Sequence, residues 1–138
     1  MNNEKEREVR NSKNSFELEG NVANINNIYT NQNGKKMLRF DLAQNNNGNT
    51  QYVPIVLRGE LVNTYGIEIQ KGDWISVKGR ISTYTKDVEK DGKTYKDKAI
   101  DILGFEITDR KNNKVYTSDG QVQELKINQK MKWKDKYE

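Results

Sequence analysis

Hydrophobic and polar residues alternate over several short stretches of the chain, which is the pattern of half-buried β-strands. In the first stretch, Phe16, Leu18 and Val22 share one parity, while Glu17 and Glu19 fall on the other. Because successive side chains of a strand point to opposite faces, each such stretch has one face for a core and one for solvent or a ligand. The pattern therefore predicts a sheet protein whose strands are buried on one side.

Four further strands and one short helix are predicted, separated by turn signals. The strands span about residues 36–44, 51–58, 74–86 and 95–108. The dipeptides Asn33-Gly34 and Asp91-Gly92 favour tight hairpins, and the Asn-rich segment 45–49 has the composition of a loop. Gly59 and Gly66 bracket a helix over residues 60–65, and a change of parity near Leu103 predicts a β-bulge.

The predicted order is three strands, a short helix and two more strands. This is the order of a five-stranded Greek-key barrel of the OB type, in which the helix lies between the third and fourth strands. We therefore predict an all-β protein with one short helix, folded as an OB-fold barrel over residues 15–108. A flexible polar arm, residues 1–14, would precede it, and a basic tail, residues 109–138, would follow. The alternation of residues 125–133 leaves open whether this tail is disordered or pairs as an extra strand.

The outward parity of the predicted strands carries cations and aromatic rings. In Trp74–Tyr84, for example, the aliphatic residues take odd positions and the cations and rings take even ones. Cations attract phosphates, and rings stack on unpaired bases. An ordinary solvated face explains any single residue of this kind, but several on adjacent strands favour nucleic-acid binding. The candidate binding residues are Arg39, Tyr52, Arg58, Lys78, Arg80, Tyr84, Lys86 and Lys93.

The chain contains neither Cys nor His, which removes disulfides, thiol nucleophiles, cysteine zinc sites and the usual general base. Asp87–Gly92 resembles the start of a calcium-binding loop, but the twelfth position holds Lys98 rather than a bidentate Glu. A carboxylate-metal nuclease would need converging acids, and Asp41, Asp97 and Asp101 are scattered along strands. We therefore expect no catalytic residues, no bound metal and no cofactor.

The net charge of +4 is carried by the two ends of the chain, since residues 15–108 contain as many acidic as basic residues. A nucleic-acid interface in the core domain therefore requires charges to be sorted between faces. No apolar run approaches the length needed to span a bilayer. We expect a cytoplasmic protein with no membrane partner.

Several segments resemble the bacterial single-stranded DNA-binding proteins in order and spacing. They are Gly20-Asn-Val22, Leu38–Ala43, Tyr52–Leu61, Lys71-Gly72 and Val77-Lys-Gly-Arg-Ile81. The resemblance covers residues 15–108. It implies an OB fold, binding of single strands without sequence preference, no enzymatic activity and usually a homotetramer. It also implies that Tyr52 stacks on a base and that the hairpin at Asp91-Gly92 contacts DNA.

The C terminus departs from the family, because Lys132–Glu138 is basic where the family has an acidic, partner-recruiting tip. A member serving a plasmid, phage or conjugative element would account for such altered ends. The leading hypothesis is a protein that coats and protects single-stranded DNA during replication or transfer, with RNA and double-stranded DNA as weaker ligands. We expect a homo-oligomer in which the N-terminal arm contacts a neighbouring subunit. The alternative is an OB-fold adaptor subunit of a replication or conjugation complex that acts mainly through protein contacts.

Overall fold

The computed structural model of the chain describes residues 10–125. These residues form strands and one short helix, which is extended by a 3₁₀ turn at Tyr65–Ile67. No helix in this part of the chain is long and apolar enough to cross a membrane. In chain order the elements are β1 (Phe16–Ile25), β2 (Tyr29–Thr30), β3 (Lys36–Asn46), β4 (Asn49–Arg58), α1 (Glu60–Thr64), β5 (Trp74–Lys90), β6 (Lys93–Asp109), β7 (Lys114–Thr117) and β8 (Val122–Glu124).

Five of these strands close a barrel. β1 pairs antiparallel with both β3 and β5, β3 pairs with β4, and β5 pairs with β6. A parallel contact between β4 and β6, at Val56 and Leu103, completes the ring. The helix α1 lies in the connection between β4 and β5. The predicted fold, an all-β barrel of the OB type with one short helix, is confirmed.

The inward parity of the barrel strands forms the core, as the alternation predicts. Removing one such aliphatic side chain from water stabilises the fold by about 1.5–3 kcal/mol. The partly buried Phe16 and Leu18 of β1 pack against this core. Its fully buried members on the barrel strands include Leu38, Phe40, Leu42, Ile55, Leu57, Ile75, Val77 and Ile107.

A bulge in β6 lies where the change of parity predicts it. Lys78 pairs with Glu106, whereas the next residue, Gly79, pairs with Gly104, so Phe105 is the extra residue. The strands approach so closely here that a Cβ on Gly79 would lie 1.7 Å from the carbonyl oxygen of Leu103. Glycine is therefore required at position 79 for β5 and β6 to pair.

Two tight turns connect neighbouring strands. Of the segment predicted as a loop, residues 45–49, only Asn47 and Gly48 form the turn, and both have positive φ; the other three residues belong to β3 and β4. The turn at Asp91-Gly92 has the same backbone signs and joins β5 to β6, as predicted. Both have the primed geometry that suits the twist of paired strands. Beyond the barrel, β5 and β6 continue as a two-stranded ribbon, which we define as residues 83–100.

The chain beyond residue 108, expected to be a tail, adds strands to the sheet. β7 pairs with β6, and β8 pairs with β7. The folded part therefore extends past the predicted boundary, because Tyr116 of β7 is 1% exposed and belongs to the core. The alternating residues 125–133 lie outside the described part, apart from Leu125.

Buried tyrosines anchor this extension to the barrel. The ring centroids of Tyr65 and Tyr116 lie 5.1 Å apart, and the rings are tilted by 56°. The Tyr65 hydroxyl donates a hydrogen bond to Asp73 at 2.9 Å, and the Tyr116 hydroxyl donates one to Glu68. Burial, followed by the hydrogen bond to a carboxylate, raises the pKa of both tyrosines above its ordinary value.

The predicted N-terminal arm is described only from residue 10 onward. Its last residue, Asn14, fixes the approach to β1 through two side-chain hydrogen bonds to the backbone of Ile81. The Asn14 amide donates to the carbonyl oxygen of Ile81 at 2.7 Å and accepts from its N–H at 3.0 Å. The end of the arm is therefore attached to β5 at the base of the ribbon.

Candidate nucleic-acid interface

The predicted binding residues project from one side of the sheet, which we call the outer face: the outward-pointing residues of β3, β4, β5 and β6. Directly paired residues of neighbouring strands project on the same side, so the register traces this face. Arg39 pairs with Val56, and Val56 pairs with Leu103. Leu103 in turn pairs with Arg80. The face is thus continuous around four strands of the barrel.

Two of the predicted phosphate-binding arginines share a buried carboxylate. Nη2 of Arg39 lies 3.2 Å from Oδ1 of Asp101, and Nη2 of Arg58 lies 3.0 Å from Oδ2 of the same residue. The Asp101 side chain is 3% exposed, while the two arginine side chains are 42% and 55% exposed. The carboxylate therefore fixes both guanidinium groups, and the trio has one net positive charge. Each guanidinium keeps further N–H donors for a ligand.

The β5 cations differ in their partners. Nζ of Lys78 lies 3.7 Å from Oε2 of Glu106, a solvent-exposed pair of the kind that contributes little to stability. The guanidinium carbon of Arg80 lies 5.6 Å from the ring centroid of Phe105, within range of a cation–π interaction. Among the described residues Arg80 forms no ion pair. Of the barrel cations predicted to bind phosphate, Arg80 is therefore the one whose charge is not shared with an acid.

Tyr52 stands at the other end of β4 from Arg58. It is 59% exposed and pairs with Ala43, a small residue that leaves its ring uncovered. At about 3.3 Å per residue, some 20 Å of strand separates it from Arg58. A flat ring at this distance from the arginines matches an extended polyanion rather than a single compact ligand.

The remaining predicted residues lie on the ribbon. Tyr84 pairs with Ala99 and Lys86 with Asp97, whereas Lys93 faces Lys90 next to the turn. By the alternation of β5 these residues continue the side of Arg80. The structure therefore places all eight predicted residues on one side of the sheet, but those of the ribbon extend well beyond the barrel and do not converge with Arg39 and Arg58.

The sequence interpretation missed several side chains of this surface. Phe105 is 40% exposed under Arg80, and its outward direction results from the bulge. Tyr95 is 50% exposed and pairs with Val88 on the ribbon side that carries Tyr84. Tyr95 could have been found by pairing residues on either side of the Asp91-Gly92 turn, which sets Tyr95 opposite Val88. The role of Asp101 could not, because its partners are 43 and 62 residues away in sequence.

The acids considered for a metal site have other partners. Asp41 accepts a hydrogen bond from Asn24 at 3.0 Å, and Asp101 binds the two arginines. Within residues 10–125, no group of three or more acidic side chains is arranged to hold a metal ion.

Two solved structures are similar to this chain in fold. One is the structure "Plasmodium falciparum SSB complex with ssDNA", with a TM-score of 0.55 and 20% identity over 70% of this chain and 89% of that one. The other is the dimeric N-terminal domain of PriB from Thermoanaerobacter tencongensis, with a TM-score of 0.53 and 18% identity over 70% of this chain and 94% of that one. At such identities the likeness establishes the fold alone.

A comparison with curated proteins found no match. At the level of families, residues 13–105 match the single-strand binding protein family. The match begins before β1 and ends within β6, and it includes the ribbon and all eight predicted binding residues. The chain therefore belongs to the single-strand binding protein family.

Proposed function

We propose that this protein binds single-stranded DNA with little sequence preference, along the outer face of its barrel. The observation that carries the proposal is the arrangement of Arg39 and Arg58 on Asp101 with Arg80 and Tyr52 on the same continuous face. Guanidinium donors held in place suit phosphate oxygens, and an uncovered tyrosine suits a base. Family membership supports the same ligand.

The cellular role that we propose is protection of single strands during replication or transfer of DNA, in the cytoplasm and as a homo-oligomer. The protein would act by binding and not by catalysis, with RNA and double-stranded DNA as weaker ligands. The N-terminal arm would contact a neighbouring subunit. In the alternative, the protein is an adaptor subunit that acts mainly through contacts with another protein. Substitutions on the outer face would then leave its function intact.

The test is fluorescence anisotropy of the full chain with single-stranded DNA, double-stranded DNA and RNA of matched length, over a series of salt concentrations. Four independent cations would give a log–log salt slope of about −3, at ~0.7 per phosphate contact on single strands. Of the four cations predicted to bind phosphate on the barrel, pairing with Asp101 and Glu106 leaves two net positive charges. For a short single strand we therefore expect a slope of about −1.4.

Two outcomes would contradict the proposal. A slope near zero would mean that phosphate neutralisation does not drive binding, and equal affinity for the duplex would mean that bases are not contacted. Adding magnesium should leave the oligonucleotide intact; its cleavage would indicate a nuclease instead.

A further inference from the structure

A patch of the outer face is apolar at the seam where β4 meets β6. The two strands pair there through Val56 and Leu103. Their side chains project outward, because Val56 also pairs with Arg39 and Leu103 with Arg80. Although they point away from the core, they are only 2% and 4% exposed. Neighbouring side chains therefore cover an apolar floor at the centre of the outer face.

A hollow with a volume of about 140 Å³ opens above this floor. Pockets for drug-sized ligands have volumes of about 300–1,000 Å³, so this one is suited to a single small group and not to a whole nucleotide. Its lining consists of Val56, Arg58, Leu103, Gly104, Phe105 and Ser118. Five of these residues lie on β4 and β6, and Ser118 lies in the turn between β7 and β8.

The rim of the hollow combines one ring with two hydrogen-bonding side chains. Phe105 is 40% exposed and presents a flat apolar wall. Arg58 is fixed by Asp101 through Nη2, and its guanidinium keeps further N–H donors. The Ser118 side chain is exposed, and its hydroxyl can both donate and accept. A flat ligand that is apolar on one edge and polar on another matches this lining.

The turn that carries Ser118 has a defined conformation. The N–H of Thr117 donates to the carbonyl oxygen of Gln121 at 3.0 Å, and the N–H of Gly120 donates to the carbonyl oxygen of Thr117 at 3.1 Å. Gly120 has a φ of +92°, and a Cβ on it would lie 3.4 Å from Oε2 of Glu60. The turn therefore lies against the first residue of α1, and Ser118 is held next to the hollow before a ligand binds, which lowers the entropy cost of binding.

Thymine matches the lining in size, shape and polarity. In thymine a C5-methyl group adjoins O4, a hydrogen-bond acceptor. The methyl group would lie on the apolar floor, the ring would stack on Phe105, and the carbonyl oxygens would accept hydrogen bonds from Arg58 and Ser118. Cytosine carries an amino donor in place of O4 and no methyl group, so it offers the guanidinium a second donor. Uracil differs from thymine only in lacking the methyl group.

We propose that this hollow holds one thymine base of the bound single strand and reads its methyl group. The occupant follows from the donors and the apolar floor, and from the position of the hollow between Arg58 and the Phe105 ring that Arg80 contacts. The inference rests on the proposed function and deepens it, because it assigns a base preference to one position of a site that otherwise accepts any sequence. Ser118 lies outside the residues that match the family, 13–105, so the family match alone does not supply this pocket.

The test compares oligo-dT with oligo-dU, which share the deoxyribose backbone and differ only in the methyl group of the base. Strands of about 12 nucleotides lie within the range of site sizes for one OB fold. Measured by anisotropy with the full chain, dT should bind about 4-fold more tightly than dU, the worth of one buried methyl group.

Two substitutions of Ser118 should act differently on this ratio of affinities. Ser118→Leu fills the hollow with an apolar side chain, so it should reduce the ratio of dT to dU affinity to about 1. Ser118→Ala leaves the hollow open but removes a donor. It should therefore weaken the binding of both strands by about 2- to 10-fold and keep the ratio.

Two controls separate this site from damage to the β7–β8 hairpin and from stacking elsewhere on the outer face. Gln123→Leu makes the same kind of change at an exposed residue of β8 that does not line the hollow, and it should leave both affinities unchanged. Tyr52→Ala removes a ring at a distance from the hollow, so it should weaken the binding of both strands and keep the ratio.

Four results would overturn the inference while the proposed function stands. Equal affinity of the unsubstituted protein for dT and dU would mean that the methyl group is not read. An unchanged ratio in Ser118→Leu would mean that it is read elsewhere, and loss of the ratio in Tyr52→Ala would place the reading at Tyr52. The same loss in Gln123→Leu as in Ser118→Leu would indicate distortion of the hairpin. Failure of the unsubstituted protein to bind any single strand would overturn the proposed function as well.

Discussion

The outer face of the barrel and the ribbon carry the same kinds of residue on very different supports. Arg39 and Arg58 are held by a carboxylate that is 3% exposed and lies above a packed core. On the ribbon, the ion pair between Lys96 and Asp87 joins side chains that are 77% and 62% exposed. The guanidinium groups of Arg39 and Arg58 are therefore fixed before a ligand arrives, whereas the exposed charges of the ribbon must be ordered by binding.

This difference indicates that the barrel and the ribbon contribute differently to the binding of a flexible polymer. Fixed donors give each contact a larger net free energy, because little side-chain entropy is lost on binding. A two-stranded ribbon without a core lengthens the charged surface, but each of its contacts contributes a smaller net free energy of binding. Substitutions in the two regions should differ accordingly in their effects on stability and affinity.

The largest contrast is expected for two glycines. A Cβ at Gly79 would overlap the carbonyl oxygen of Leu103, so Gly79→Ala should lower the free energy of unfolding by about 3 kcal/mol or more. Gly92, at the ribbon turn, has a φ of +74° and open space around it, so Gly92→Ala should cost only about 1 kcal/mol of backbone strain. Urea denaturation of both variants measures the difference. Equal losses would mean that the ribbon is as tightly coupled to the fold as the barrel.

A smaller contrast is expected between the two kinds of ion pair. Asp101→Ala removes two charge-assisted hydrogen bonds and should lower the free energy of unfolding by about 1–3 kcal/mol; the arginines are half-exposed, so water limits the loss. Lys96→Ala removes an exposed pair and should change stability by less than about 0.5 kcal/mol. The same urea measurement compares them. If Asp101→Ala left stability unchanged, the arginines would not be fixed by this carboxylate.

The smallest contrast is expected for single-strand affinity. Tyr52→Ala should weaken binding by about 1–3 kcal/mol without affecting folding, since the ring lies outside the core. Tyr84→Ala, on the ribbon, should weaken it by only about 1 kcal/mol, because ordering the ribbon offsets part of the stacking free energy. Anisotropy with a strand long enough to reach both residues, with circular dichroism as the folding control, decides this. If Tyr84→Ala lost more affinity than Tyr52→Ala, the ribbon and not the barrel would provide the stronger base contact.

Much of the fold was predictable because it depends on local patterns. Alternation identified the five barrel strands, Asp91-Gly92 marked the hairpin, and the change of parity near Leu103 marked the bulge. The short strands β7 and β8 were missed, since strands of four and three residues show too little periodicity to be recognised. The strand β2 was missed for the same reason, because it has only two residues.

The sequence by itself determined which side chains point inward and which point outward, because the period of a strand is local and depends only on neighbouring residues. It also determined where the chain can turn sharply, through glycine and asparagine at positive φ. Only the tertiary structure decided which outward residues meet. Closure of the barrel brings Asp101 of β6 between Arg39 of β3 and Arg58 of β4, and that pairing depends on strand order and register across long stretches of chain.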